Sequence, residues 1–260
     1  MPQLPSLFIS HGAPDLPIQT GATQDFLRQL PHMIPMPQAI LVISAHWSTT
    51  DPTVSQAVNP KTIYDFGGFP EELYQLSYLA PGAPELADRV VSLLTQSDVP
   101  AHTHPSRGFD HGTWTPLVLA YPGAAIPVTQ LSVQPHQSAD YHFRIGQALT
   151  PLRDDGVLII GSGAATHNLR AFGIGHDAAP PDWVTAFDDW LAEAIALHDV
   201  QRLLNYRTLA PYAAQNHPTE EHLLPLFVAL GAGGAGRQIH HGFIYGAFSM
   251  AAFSFGESND

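Results

Sequence analysis

The sequence has 260 residues, of which 45% are hydrophobic and only 13% are charged, so its composition is that of a globular protein with a sizeable core. Asp and Glu total 23 against 10 Lys and Arg, and this excess of negative charge argues against binding to nucleic acids or to anionic membranes. The chain has no cysteine, which excludes disulfides, thiolate metal sites and a cysteine nucleophile.

Targeting signals and domain boundaries are not evident along the chain. No apolar run has the roughly 18 residues that a membrane span needs, and no basic segment precedes an apolar one at the start. We therefore expect a cytoplasmic protein without a signal peptide. No repeat, low-complexity run or long linker divides the sequence, so we expect a single domain over residues 1–260.

Strands and helices are predicted to alternate. Short apolar runs rich in β-branched residues predict strands buried on both faces, at residues 6–10, 39–45, 126–133 and 157–161. Helical periodicity is found at residues 86–94, 183–197 and 219–230, and Pro225 is expected to bend or delay the last of these helices. This alternation predicts a three-layer α/β/α sandwich with a mostly parallel, mixed central sheet.

Histidine is unusually frequent, with 15 residues. Three predicted strands lead into a histidine: His11 follows the first, His46 the second, and His167 lies a few residues after the last. Because the carboxyl ends of parallel strands meet at one edge of a sheet, we expect these side chains to lie close together. Histidine is the commonest metal ligand, so the pattern predicts a metal site at this edge.

Two further histidines lie in the context of a site. His111 is predicted in a glycine-flanked loop beside Asp110, and His222 in the first turn of the last predicted helix. Glu220 and Glu221 precede His222, so a carboxylate remains an alternative third ligand. His217 is left open between a structural and a site role. The other histidines are expected at the surface: His32, His102, His104, His136, His142, His176, His198, His240 and His241.

Six short segments carry a family resemblance. In chain order they are Ser10-His11-Gly12, Ser44-Ala45-His46-Trp47, Tyr64-Asp65-Phe66-Gly67-Gly68-Phe69-Pro70, Gly108-Phe109-Asp110-His111-Gly112, His167-Asn168-Leu169 and Pro218-Thr219-Glu220-Glu221-His222. Together they resemble the DOPA-dioxygenase-type class III extradiol aromatic ring-opening dioxygenases. The resemblance covers nearly the whole chain.

This resemblance implies a function and a set of roles. It implies that His11, His46 and His222 bind a mononuclear non-haem metal, Fe(II) for activity, with Zn(II) in the purified protein. His167 corresponds to a fourth ligand or to an acid/base beside the metal, and His111 to a second acid/base. The implied reaction inserts O2 into a catechol and opens its ring. A neutral imidazole would take a hydroxyl proton, with His167 the first choice and His111 the second.

Aromatic and basic residues near these motifs are candidates for contacting the substrate. The aromatic side chains are predicted to wall a flat pocket, with packing onto the core as the alternative; they are Trp47, Phe66, Phe69, Phe109 and Trp114. The cations for a substrate carboxylate are Lys61, Arg107 and Arg170, among which the sequence does not choose. Two other functions stay open: a zinc-dependent hydrolase, and a non-catalytic metal- or peptide-binding protein of the same fold.

Overall fold

A mixed eight-stranded sheet lies at the centre of the protein. The computed structural model describes residues 3–171 and 175–256, and the strands in this part of the chain are β1 (Ser6–Ser10), β2 (Ala39–Ser48), β3 (Thr53–Ser55), β4 (His102–His104), β5 (Val128–Val133), β6 (Val157–Gly163), β7 (Gly236–His240), β8 (Phe243–Ile244), β9 (Phe248–Ser249) and β10 (Ala252–Phe255). The order across the sheet is β4-β3-β5-β2-β6-β1-β10-β7, and β8 pairs with β9 separately. The central strands β5, β2, β6 and β1 are parallel, so their carboxyl ends share one edge.

Helices connect these strands. They are α1 (Ala22–Met33), α2 (Pro84–Gln96), α3 (His111–Ala120), α4 (Ala139–Leu149), α5 (Pro151–Asp154), α6 (Asp182–Ala196), α7 (Val200–Leu204), α8 (Tyr206–Leu209), α9 (Ala213–Asn216) and α10 (Leu224–Gly233). Single turns of 3-10 helix lie at Leu16–Ile18, Glu71–Gln75 and Leu169–Ala171. Among the described residues, none of the helices combines the length and the apolar character needed to cross a membrane.

Alternate side chains of the central strands enter two separate hydrophobic cores. On β2, Leu41 and Ile43 pack in a core formed with α2, α4, α6 and α10. Ile40 and Val42 pack on the other face, with α1 and α3. Both faces of the sheet are therefore covered, which explains the continuous apolar runs and confirms the predicted α/β/α sandwich. The sheet is mixed because β3, β10 and β7 add antiparallel pairs toward its margins.

The segment that carries His222 differs from its prediction. The last helix begins at Leu224 and not at Thr219, and Pro225 occupies one of its first positions. Proline suits this place because its missing N–H would have no partner in the first helical turn. His222 therefore lies in the turn before α10, where its position depends on the neighbouring strand as well as on the helix.

His111 begins a helix, whereas its glycine-flanked segment predicts a loop. The Asp110 carboxylate caps α3 by accepting a hydrogen bond from the backbone N–H of Thr113 at 3.2 Å. The glycines on either side of the Asp110–His111 pair suggested a loop, and the capping signal was missed. His111 is consequently held at the N-terminus of a buried helix.

His142 was expected at the surface, but the structure buries it completely. Its Nδ1 lies 2.9 Å from the carbonyl oxygen of Ser138, and its Nε2 accepts a hydrogen bond from the backbone N–H of Gln134 at 3.2 Å. Because a carbonyl oxygen can only accept, Nδ1 carries the proton and the ring is neutral. Burial lowers the pKa of His142 to about 4.

We predict that His142 makes the protein less stable as the pH falls. The pKa of His142 is about 4 in the folded protein and 6.5 in the unfolded chain. Between these two pH values the unfolded chain therefore binds a proton that the folded protein does not. Stability present above pH 6.5 is lost as the pH falls toward 4, by about 2 kcal/mol between pH 6.5 and roughly pH 5. Denaturant unfolding at these two pH values should show a smaller loss in His142→Gln than in the wild type.

The control for this experiment is His32→Gln, at an exposed position of α1. It makes the same substitution without touching a buried imidazole. An equal loss of stability in His142→Gln and in the wild type would contradict the prediction.

Candidate metal centre

Three histidine side chains converge at the carboxyl edge of the sheet. His11 follows β1, His46 lies near the end of β2, and His222 lies in the turn before α10. The Nε2 atom of His46 is 3.0 Å from Nε2 of His11 and 3.2 Å from Nε2 of His222. Imidazole ligands at about 2.0–2.1 Å from one ion lie roughly this far apart. The three nitrogens therefore form a group that could hold a metal ion.

Hydrogen bonds on the outer side of two rings fix which nitrogen carries the proton. His11 Nδ1 is 3.0 Å from the Ser162 hydroxyl, and this hydroxyl donates its own proton to the carbonyl oxygen of Gly112. His11 must then donate through Nδ1, which leaves its Nε2 lone pair free. His222 Nδ1 lies 2.9 Å from the Glu221 carboxylate, an acceptor, and so has the same tautomer.

Burial keeps these three rings uncharged. Burial, together with repulsion from His111, lowers the pKa of His46 to about 3, although the nearby Asp65 carboxylate opposes this change. Burial also lowers the pKa values of His11 and His222 well below the usual value, and the neighbouring imidazoles add to the effect. All three rings are neutral near pH 7, the state in which imidazole binds metal.

Two glycines allow the histidines to approach one another. A Cβ at Gly112, in the first turn of α3, would lie 3.1 Å from Cδ2 of His46. At Gly163, the last residue of β6, a Cβ would overlap the carbonyl oxygen of His222. That oxygen accepts a hydrogen bond from the backbone N–H of Ala164 at 2.9 Å. Because glycine has no side chain, α3 and the turn with His222 can lie directly against the edge of the sheet.

A buried carboxylate ties the elements around the centre together. Asp110 has no exposed surface and accepts hydrogen bonds from the Ser44 hydroxyl at 2.6 Å, from the Gln130 amide and from Arg107 Nη2 at 3.1 Å. Arg107 also donates to the carbonyl oxygen of His46 at 3.3 Å. These bonds connect β2, β5 and the start of α3, and they engage one of the three cations considered for a substrate carboxylate.

The two predicted acid/base histidines lie beside the three converging rings. The His111 ring is 3.9 Å from that of His46, and the His167 ring stacks on that of His222 at 3.4 Å with an interplanar angle of 13°. Burial lowers the pKa of His167 to about 4. Burial by itself would raise the pKa of Asp65, but its contact with His111 lowers it to about 2. The structure thus brings all five predicted site histidines together.

A cavity of about 400 Å³ opens in front of these rings. Glu221 is the one carboxylate among the described residues that line it. Lys61 and Arg170 are exposed and are not part of its wall. His217 is also absent from the wall, since it is fully buried with Nε2 2.8 Å from the carbonyl oxygen of Ala165. The apolar side of the cavity is formed by Ala13, Pro14, Phe69, Leu169, Phe248 and Met250.

The aromatic residues predicted to wall the pocket mostly pack elsewhere. Phe109 and Trp114 have no exposed surface and belong to the hydrophobic core. Trp47 is 7% exposed and is not on the cavity wall. Phe66 packs edge-on against an imidazole of the site but is also absent from the wall. Phe66, Phe109 and Trp114 follow the alternative of packing onto the core, whereas Trp47 contacts His104 and Arg107. Phe69 is the one of the five that lines the cavity.

The wall residues that sequence reasoning missed come from separate parts of the chain. Leu169 lies in a 3-10 turn after β6, Phe248 lies in β9, and Met250 lies between β9 and β10. No local pattern distinguishes Phe248 and Met250, because the pairing of β10 with β1 is what brings their segment toward His11. Leu169 could have been found, since it lies two residues after His167 in one of the six segments. Residues 12–14 could have been found, since they directly follow a predicted ligand.

The two glutamates before His222 have different partners. Glu220 accepts a hydrogen bond from the Tyr206 hydroxyl at 2.5 Å and lies 3.8 Å from Arg207 Nε, so its carboxylate is engaged outside the histidine cluster. Glu221 faces Nδ1 of His222, on the opposite side of the ring from Nε2. Neither carboxylate takes part in the convergence of the three Nε2 atoms.

This chain is similar over most of its length to known proteins, several of which are named for an enzymatic activity. Residues 6–256 match the family of the catalytic LigB subunit of aromatic ring-opening dioxygenase. The chain is 45% identical to a 4,5-DOPA dioxygenase extradiol of Beta vulgaris, over 96% of each chain, and 39% identical to one of Escherichia coli K12, over 88% of this chain and 85% of the relative. The crystal structure of an uncharacterized Escherichia coli K12 protein has a TM-score of 0.81 at 33% identity and covers 98% of this chain and 100% of its own.

These similarities extend over nearly the whole chain, as the resemblance from the six segments implied. The relatives are named for an extradiol dioxygenase activity, which neither the zinc hydrolase nor the non-catalytic binding protein would have. The chain therefore belongs to the aromatic ring-opening dioxygenase family and is an enzyme of the extradiol dioxygenase type.

Proposed function

We propose that this dioxygenase opens the ring of a small catechol with one divalent metal ion held by His11, His46 and His222. The observation that carries the proposal is the convergence of three uncharged Nε2 atoms. Outward acceptors support an Nδ1–H tautomer in at least two of these rings. Imidazole donors suit both iron and zinc. We assign Fe(II) to the active enzyme and expect Zn(II) to compete for the same nitrogens during purification.

A catechol matches the cavity in shape and polarity. Apolar side chains on the wall, including Phe69 and Phe248, can pack against a flat ring, while the histidines provide a polar side for its two hydroxyls. A bound ion would supply the Lewis acidity and the redox chemistry that a ring diol needs to react with dioxygen. Because relatives are named for 4,5-DOPA, DOPA and similar catechols are the first substrates to test.

We assign proton transfer to His167 first and to His111 second. With its pKa lowered to about 4, His167 is neutral near pH 7, so an imidazole nitrogen is free to take a hydroxyl proton from the catechol. The same low pKa makes the protonated ring a good acid for returning that proton. Stacking on His222, outside the group formed by His11, His46 and His222, supports the role as base. The alternative role as ligand is supported by the separate group that His167 forms with Glu221 and His222.

Anaerobic loading with Fe(II), followed by DOPA or a simpler catechol and then oxygen, should give a yellow ring-opened product. One mole of oxygen should be consumed for each mole of product, with the product measured from its absorbance. Loading with Zn(II) should give no product, because zinc has no redox chemistry. Iron-loaded protein that consumes no oxygen with any catechol of the panel would refute the proposed function.

His222→Ala should lose the metal, whereas Glu221→Gln should retain one ion per chain. His222→Ala removes a converging nitrogen. Glu221→Gln removes only the acceptor on the far side of the His222 ring, and we expect this change to weaken metal affinity about 10-fold. Metal content after dialysis measures both effects, and Glu220→Gln is the matched control. An empty Glu221→Gln protein would show that the third ligand is a carboxylate.

His167→Gln should lower turnover by roughly 10²–10⁴-fold while metal affinity changes little. The reason is that a base moves protons without holding the ion. Parallel metal titration and catechol-cleavage assays test this separation. Loss of metal together with activity would make His167 a ligand, and unchanged turnover would remove it from the reaction.

A further inference from the structure

We propose that Asp65 is a positioning residue that keeps the protons of His46 and His111 on Nδ1, so that both rings direct an unprotonated Nε2 inward. One carboxylate faces both imidazoles: Oδ1 lies 3.0 Å from His111 Nδ1, and Oδ2 lies 3.6 Å from His46 Nδ1. The other ring nitrogen of His46 is the one that converges with the Nε2 atoms of His11 and His222. The roles of these rings rest on the proposed function.

The segment that carries Asp65 is fastened to the chain that leads into α3. The backbone N–H of Ile63 donates to the carbonyl oxygen of Phe109 at 2.7 Å, and the N–H of Phe109 donates to that of Lys61 at 2.8 Å. Trp114, within α3, donates from Nε1 to the carbonyl oxygen of Ile63 at 3.2 Å. These bonds hold the Asp65 carboxylate at a set distance from the helix that begins with His111.

The start of α3 also attracts a negative charge. Asp65 Oδ1 accepts a hydrogen bond from the backbone N–H of His111 at 3.0 Å, and this N–H has no partner inside the helix. The positive end of the helix dipole favours a carboxylate at this point. Asp110 already caps the helix at Thr113, so Asp65 is not the N-cap of α3. Its side chain is placed to act on the two rings.

The Asp65 carboxylate influences which ring nitrogen of His46 and of His111 carries the proton. A negative charge this close to Nδ1 stabilises a proton on that nitrogen, so the carboxylate favours the tautomer with the proton on the nearer nitrogen. For His46 this leaves a lone pair for a metal ion. For His111, which lines the cavity, it leaves an unprotonated nitrogen beside the substrate. The neutral isostere Asp65→Asn removes this preference, because it takes away the negative charge and its amide can present an N–H as well as an oxygen to the rings.

The direct test is the tautomer state of the histidines in metal-free protein, read from long-range ¹H–¹⁵N spectra of histidine-labelled samples. In the wild type we expect Nδ1–H forms for His46 and His111. In Asp65→Asn we expect one or both rings to populate the Nε2–H form. The matched control is Glu71→Gln, which removes an exposed carboxylate from a neighbouring turn and should leave the spectra unchanged. An unchanged signal of the buried His142 establishes that the variant is folded.

Metal titration provides a second readout. Affinity for Zn(II), measured by chelator competition, should fall about 10–100-fold in Asp65→Asn and stay at the wild-type level in Glu71→Gln. Asp65→Glu, which restores a carboxylate, should recover part of the loss. Unchanged tautomers and unchanged affinity in Asp65→Asn would overturn the proposal. Two tightly bound ions per wild-type chain, one of which is lost in Asp65→Asn, would also overturn it, because His46, Asp65 and His111 would then form a second metal site.

This experiment separates the role of Asp65 from the proposed function. The tautomers are measured without metal, substrate or oxygen, so a change in Asp65→Asn supports the positioning role even if no catechol is cleaved. Conversely, if Asp65→Asn cleaves catechol and its histidine tautomers are the same as in the wild type, the proposed function stands and Asp65 has no positioning role.

Discussion

The placement of protons on three imidazoles is the constraint on which the site depends. The Nε2 atom of His46 lies 3.0 Å from that of His11 and 3.2 Å from that of His222, distances at which two protonated nitrogens would repel each other. Burial favours the uncharged rings, and acceptors behind His11 and His222 hold the remaining proton on Nδ1. With the same tautomer in His46, the three lone pairs would face one point, and the polypeptide would present the candidate metal site before any ion arrives.

The register of the sheet supplies part of that proton control. In the parallel pairing of β1 with β6, Ile9 lies beside Ser162, and in that of β2 with β6, Ser44 does. A slip of one residue in β6 would turn the Ser162 hydroxyl to the opposite face and remove the acceptor behind His11. The register is enforced by apolar side chains that alternate between the two cores, so core packing and imidazole tautomer are linked.

Local patterns were sufficient to predict the elements that position His11 and His46. The strands β1 and β2 are continuous apolar runs, and each leads directly to one of the converging histidines. His222 depended on the family resemblance, because its turn is set by Pro225 and by the close contact with Gly163, which a single segment does not reveal. The same holds for the cavity wall and for the burial of His142. Those features arise from pairings between residues far apart in sequence, where local periodicity carries no information.

The charges around the site show how a strongly acidic chain can keep the converging imidazoles neutral, as candidate ligands. Asp110 is offset by Arg107, so its charge is already compensated within the protein. Asp65 and Glu221 instead face the outer nitrogens of imidazole rings, one ring removed from the converging Nε2 atoms. Carboxylates in this position make imidazoles more basic ligands and balance the charge of a divalent ion without touching it. Neutral direct ligands would then leave the ion electrophilic enough to attract an anionic catechol oxygen, which is the property a ring-opening site requires.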